Sequence, residues 1–190
     1  PTTLTVTSGG ILANGTGTTA RLSVPIVSFA GTEAFLHVAS GQTLEIDSGL
    51  MGTNTLNKSL PGTLNFNRQQ FTQGTFMING GTVNLVADAT NTLLPGYNLA
   101  VNTGATLNLN GGAQLVAALY SANGGGQTEL LGGTIVNTSA NQATLARIEA
   151  HVGVADVGLA GANRLDLGPR EHDPRLVALD DLVLIRGLAV

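Results

Sequence analysis

The chain of 190 residues contains no cysteine and no tryptophan, and only five Phe and two Tyr. Without cysteine there is neither a disulfide framework nor thiol chemistry. With aromatics at 4%, a core has to be built from Leu, Val, Ile and Ala. Charge is also scarce. Asp, Glu, Lys and Arg supply 11% of the residues, for a net charge of −4, which is less than half the usual charged share. Eight scattered Lys and Arg form no basic face, so nucleic acid is excluded as a partner. No apolar run reaches about 18 residues, so no membrane-inserting helix is expected. The first residues, Pro1 onward, carry no basic-then-apolar leader, so the chain reads as a mature product, a fragment or a cytosolic protein. The length suits one domain with a sizeable core.

What the chain has in abundance is one repeated phrase. "VNTGATLNLNGG" (101–112) has near-copies at "VASGQTLEID" (38–47), "LPGTLNFN" (60–67) and "INGGTVNLV" (78–86). Aligned on Thr43, Thr63, Thr82 and Thr106, the next residue is always apolar (Leu44, Leu64, Val83, Leu107). A polar residue follows (Glu45, Asn65, Asn84, Asn108), then another apolar one (Ile46, Phe66, Leu85, Leu109). A period of two is a strand with one buried and one wet face. Upstream of each turn lies a second short apolar run: Leu36/Val38, Leu56 and Leu60, Phe76/Ile78, Leu99/Val101. Weaker copies stand at "TLTVTSGGIL" (3–12) and "TELLGGTIVN" (128–137). The Thr anchors, ending at Thr134, fall 20, 19, 24 and 28 residues apart, the length of a solenoid rung.

A single rung cannot bury its inward Leu and Ile; stacking like rungs buries them all at once. The expectation is an all-β solenoid of about 6–9 rungs, each about 4.8 Å above the last and paired in parallel. Leu44, Leu64, Val83 and Leu107 then stack inside, and Glu45, Asn65, Asn84 and Asn108 stack outside, where amides can hydrogen-bond along the axis. Gly41, Gly62, Gly81 and Gly104 mark corners that need φ > 0 or no Cβ. Helix signals are nearly absent over 1–145, where Thr, Asn, Gly and Val dominate.

The stretch "LNKSLPGTLNFNRQQFTQGTFMINGGTVNLV" (56–86) resembles the autotransporter-associated β-strand repeat of bacterial passenger domains and giant surface proteins. Leu56, Lys58, Gly62, Thr63, Leu64, Phe66, Phe71, Thr72, Gly74, Ile78, Gly81, Thr82, Val83 and Leu85 sit at matching positions. Leu60 replaces a glycine of the pattern, and Gln70 stands where an Asn usually falls. The resemblance covers roughly residues 1–140. It implies a right-handed parallel β-helix, exported by a bacterium and acting on or outside the cell surface. The absence of cysteine fits such export.

The tail departs from this pattern. Residues 146–190 hold no Ser or Thr and carry 12 of the 20 charged residues, so the chain divides into 1–145 and a compositionally distinct 146–190. The tail reads as further rungs ending in a cap that shields the solenoid end. A junction to a neighbouring domain and a shifted reading frame stay open beside it.

Candidate chemistry is thin. Glu45 and Asp47 face outward on one strand, roughly 7 Å apart, a separation that glycosidase acid pairs also use. Neighbouring rungs offer Asn65/Asn67 and Asn84/Val86, with no Arg, Lys or second acid to complete a site. "REHD" (170–173) gathers Arg170, Glu171, His172 and Asp173 between two prolines, where adjacent side chains rarely converge on a metal. His37 points outward as a plain polar residue. If Asp180 and Asp181 lie on a strand, the inward one needs a partner such as Arg175 or Arg186. No catalytic, cofactor-binding or metal-ligating residue is assigned. The leading expectation is a non-enzymatic structural or adhesive module at the bacterial surface or outside the cell. Its candidate partners are further copies stacked end to end, a surface glycan, or a host or matrix ligand. The alternative is a carbohydrate-active β-helix enzyme of the hydrolase or lyase kind. An ice-binding face would need T-x-T on most rungs, and only "TLTVT" (3–7) has it.

Overall fold

A computed structural model describes residues 2–31, 33–52, 55–121, 132–147 and 182–185. They form the expected parallel β-solenoid, with about five turns, slightly fewer than the 6–9 rungs read from the sequence. Each complete rung contributes one strand to each of three faces. The first face begins with β1 (Thr3–Val6), β4 (Ile26–Phe29) and β7 (Gly49–Met51). The second holds β2 (Gly10–Ala13), β5 (Glu33–Val38), β8 (Thr55–Ser59), β10 (Thr75–Ile78), β12 (Asn98–Val101) and β15 (Ala118–Tyr120). The third holds β3 (Thr19–Leu22), β6 (Thr43–Ile46), β9 (Thr63–Phe66), β11 (Gly81–Asn84), β13 (Ala105–Asn108) and β16 (Thr134–Val136).

The repeated phrase is the third face. Its register runs Thr43↔Thr63↔Thr82↔Thr106↔Thr134, with Leu44, Leu64, Val83 and Leu107 directly above one another. All four are at least 97% buried, and each such Leu contributes roughly 1.5–3 kcal/mol over an exposed one. The column also extends one rung earlier than the sequence suggested. Thr19 pairs with Thr43, whereas "TLTVTSGGIL" splits between β1 and β2 on the other two faces. On the second face the inward column is Ala34, Leu56, Phe76, Leu99 and Leu119. Phe66 meets Phe76 edge-to-face across the interior, with ring centroids 5.8 Å apart, a favoured aromatic geometry.

The second inward column of that face carries a correction. Leu60, expected inside, is 44% exposed, and Lys58 takes the inward place between Leu36 and Ile78. Lys58 is fully buried. Its Nζ donates to the backbone carbonyls of Leu60, Gly62 and Gly80 at 2.5, 2.6 and 2.8 Å. Burial pushes the ammonium down to about 8. Three charge-assisted hydrogen bonds stand against that desolvation, and a primary ammonium has three N–H groups to give. Lys58 therefore clips two successive corners together from inside. The corners are crowded as a result: a Cβ on Gly81 would lie 2.3 Å from the Gly62 carbonyl oxygen and 2.6 Å from Lys58 Nζ. The other anticipated corners also behave as glycine positions, Gly41 and Gly104 through φ of 73° and 80°, Gly62 because a Cβ would meet the Ala39 carbonyl at 2.2 Å.

The first face loses its strands in the middle of the stack, and two buried glutamines bridge the gap. Gln70 accepts from the Leu50 N–H at 3.1 Å and donates to the Ser48 carbonyl at 3.3 Å. These are the two bonds that a strand residue opposite Gly49 would make in a parallel ladder. Two rungs later Gln114 bonds both backbone groups of Leu93, accepting from its N–H at 3.0 Å and donating to its carbonyl at 3.1 Å. Strands resume on this face with β14 (Ala113–Val116) and β17 (Ala143–Arg147), which pair in parallel. The last strand, β18 (Leu182–Ile185), runs antiparallel to β17, so the run "LVLI" is not a further parallel rung. The remainder of 148–190, including Arg170, Glu171, His172, Asp173, Arg175, Asp180, Asp181 and Arg186, lies outside the described residues.

Leu60 has φ of 70°, a left-handed conformation that costs a non-glycine residue roughly 1–2 kcal/mol. This is the position where the resembled repeat carries glycine. Leu60→Gly is expected to stabilise the protein by about 0.5–1 kcal/mol after the extra chain entropy of glycine is subtracted. A chemical-denaturation midpoint measures the gain.

Candidate functional site

The outward positions of the third face are joined to one another along the axis. Asn108 donates through Nδ2 to Asn84 Oδ1 at 2.9 Å, Asn84 to Asn65 at 2.7 Å, and Asn65 to Glu45 Oε1 at 2.7 Å. All the amides run in one direction. The carboxylate at the end sets that direction, because it can only accept. Beyond Asn108 the chain of bonds reaches Thr138, whose Oγ1 accepts from Asn108 at 2.7 Å. At the other end Asn67 Nδ2 donates to Glu45 and to Asp47, both at 2.7 Å. Asp47 completes the line with an ion pair to Arg21 at 2.6 Å. One line of side chains thus crosses all six strands of the third face, from Arg21 on β3 to Thr138 just past β16. The Asn stack read from the sequence is a bonded ladder. It is less exposed than expected at its far end, where Asn108 is only 6% exposed.

The candidate acids are absorbed by this ladder. Glu45 and Asp47 do share an outward face, half-buried, with their oxygens turned to Asn65, Asn67 and Arg21. Arg21 was missed from sequence because its rung carries no recognisable copy of the phrase; it sits opposite Glu45 in the register. The hydrogen bond from Asn67, then that from Arg21, hold the Asp47 carboxyl below its usual range. His37 is outward as expected, stacked on Phe35 with ring centroids 5.7 Å apart. A shorter second ladder joins Ser121 to Asn102 at 3.2 Å and Asn102 to Asn79 at 2.6 Å. No group of three His, Asp or Glu side chains able to hold a metal ion occurs among the described residues.

Beside the long ladder lies an open groove of about 610 Å3, lined by the polar Asn65, Asn67, Asn84, Asn108, Asn110 and Thr138 and by apolar residues that include Val86 and Ala87. None of these carries a charge. The outward Thr column is complete, yet its neighbouring column reads Arg21, Glu45, Asn65, Asn84, Asn108; the T-x-T array of an ice-binding face is not formed there. Comparison with protein-family models, with curated proteins and with solved structures finds no match.

Asn84 makes one ladder bond up and one down, each worth about 0.5–1.5 kcal/mol net. Asn84→Ala is expected to cost about 1–3 kcal/mol, read as a lowered denaturation midpoint. For Asp47 the folded pKa lies below the unfolded one, so its stabilisation is present above the ordinary carboxylate range and is lost as pH falls through the folded value. Thermal midpoints measured down an acid series should therefore fall less steeply for Asp47→Asn than for the unaltered protein.

Proposed function

We propose that the chain is a non-enzymatic structural and adhesive module of a bacterial surface or secreted protein, built on a repeat of the autotransporter-associated kind and acting outside the cell. The observation that carries this reading is the axial ladder. The polar outer residues of successive rungs bond to one another, and the two acids that could have formed a catalytic pair are held by Asn65, Asn67 and Arg21. Five repeats at about 4.8 Å give about 24 Å of stiff stacked sheet, a spacer and display surface. The resemblance of residues 56–86 supports export to the surface.

End-to-end stacking belongs to the same proposal. The first strands β1, β2 and β3 pair on one side only, and Leu4 and Leu12 near that edge are 42% and 62% exposed. β1 and β2 carry neither charge nor proline, and an unpaired edge of that kind is a template for another strand; on β3 Arg21 is engaged by Asp47. Among the described residues, the other end of sheets two and three is formed by parallel strands β15 and β16, and that of the first face by the reversed β18. A head-to-tail contact is heterologous and open-ended.

The second reading, a carbohydrate-active enzyme, rests on Glu45 and Asp47 standing together on one outward face. Incubation of the full chain with pectin, alginate and similar glycans is expected to release no reducing ends. Release that disappears in Glu45→Gln or Asp47→Asn would establish the enzyme instead. Beads coated with the chain should adhere to cell and matrix surfaces above albumin-coated beads, and parity would overturn adhesion. Sedimentation over a concentration series should show species larger than a monomer that shrink in Val6→Lys.

A further inference from the structure

We propose that the groove beside the Asn ladder binds a neutral, unbranched glycan laid along the solenoid axis. This deepens the adhesive reading and rests on it. The first ground is hydrogen-bonding capacity. An amide has two N–H donors and two carbonyl lone pairs, and the ladder spends one of each on Asn65 and on Asn84. Each keeps a second N–H and a second lone pair. Asn67 has spent both donors on Glu45 and Asp47 and offers its carbonyl oxygen. Asn108 is saturated, donating to Asn84 and Thr138 and accepting from the N–H groups of Asn110 and Thr138. Asn65 and Asn84 therefore each present a spare donor and acceptor one rung, about 4.8 Å, apart, with the Asn67 carbonyl oxygen as a further acceptor. A row of sugar hydroxyls, each both donor and acceptor, answers such a row in kind.

The second ground is shape and charge. The groove, about 610 Å3, falls in the range of about 300–1,000 Å3 that small-ligand sites occupy. Half-buried Val86 and exposed Ala87 also line it and offer apolar surface to the C–H face of a pyranose ring. No cation lines the groove, and the charges at its N-terminal end include the Glu45 and Asp47 carboxylates, so uronic-acid and sulfated chains are disfavoured. A peptide is the poorer occupant. Extended peptides gain much of their affinity by pairing with a sheet edge, while this groove lies on a sheet face whose backbone groups already pair between rungs.

The test is calorimetric titration of the full chain with neutral hexasaccharides: β-1,4-linked glucose, N-acetylglucosamine, mannose and xylose. Heparin and oligogalacturonate serve as anionic comparisons. At least one neutral chain is expected to bind, with an affinity unchanged by salt, and the anionic chains more weakly. Ala87→Arg fills the groove from an exposed position and should weaken that binding about tenfold with an unchanged circular dichroism spectrum. Failure of all four neutral chains, tighter binding of the anionic ones, or indifference to Ala87→Arg overturns the proposal. The coated-bead assay separates the two levels. Adhesion that persists in Ala87→Arg and is abolished by protease treatment of the target surface would sink the groove and leave the adhesive reading standing, with a protein as ligand. No adhesion by any form sinks the adhesive reading itself.

Discussion

In-register parallel stacking is the constraint on which everything else in this molecule depends. Each side chain has as its nearest neighbours the equivalent side chains one rung up and one rung down, so a residue is acceptable only if its own kind can sit about 4.8 Å away. Leu, Val and Ile satisfy this inside by packing. Asn satisfies it outside because an amide is both donor and acceptor and can bond to a copy of itself. Like charges stacked in the same way would repel. Charge on the third face accordingly stands at its N-terminal end, where Arg21 and Asp47 form an ion pair and Glu45 closes the amide chain.

The same constraint explains how the chain treats its exceptions. Where the first face lacks strands, Gln70 and Gln114 supply peptide-like bonds from side chains, keeping buried N–H and C=O groups of the adjoining rungs paired. An orphaned buried backbone group costs about 1–3 kcal/mol, so these amides are structural necessities. Lys58 is a sharper case. An ammonium in an apolar column would be prohibitive alone, and it is tolerated because the turn on either side aims three carbonyls at it. The crowding at Gly81, beside the Gly62 carbonyl and Lys58 Nζ, is the geometric cost of bringing those carbonyls so close.

The polar groups of the third face are held by one another. Glu45 and Asp47 serve as terminal acceptors, and the amides beyond them lose rotamer freedom on folding rather than on binding. A rigid, uncharged surface of this sort suits recognition of a long neutral ligand through many weak contacts, because little ordering entropy is lost at the moment of binding. The proposed adhesive role and the proposed glycan site both draw on that rigidity.

Much of this was legible in the chain itself. The period of two in the phrases at Thr43, Thr63, Thr82 and Thr106, recurring every 19 to 24 residues, determined a stacked β-solenoid, its inward Leu column and its outward Asn column, because a repeat that cannot bury its own face has to stack. At Lys58 the sequence offered only a match to the resembled repeat. Only the tertiary structure decided what that lysine meets, since the carbonyls of Gly62 and Gly80 come from two different corners. It decided too that Arg21 reaches Asp47 from a rung with no readable copy of the phrase, that Gln70 and Gln114 stand in for missing strands, and that β18 turns back against β17. Local pattern encodes which face a residue takes. Partners 19 to 26 residues away, or further, are set by register between rungs, and register exists only once the rungs have stacked.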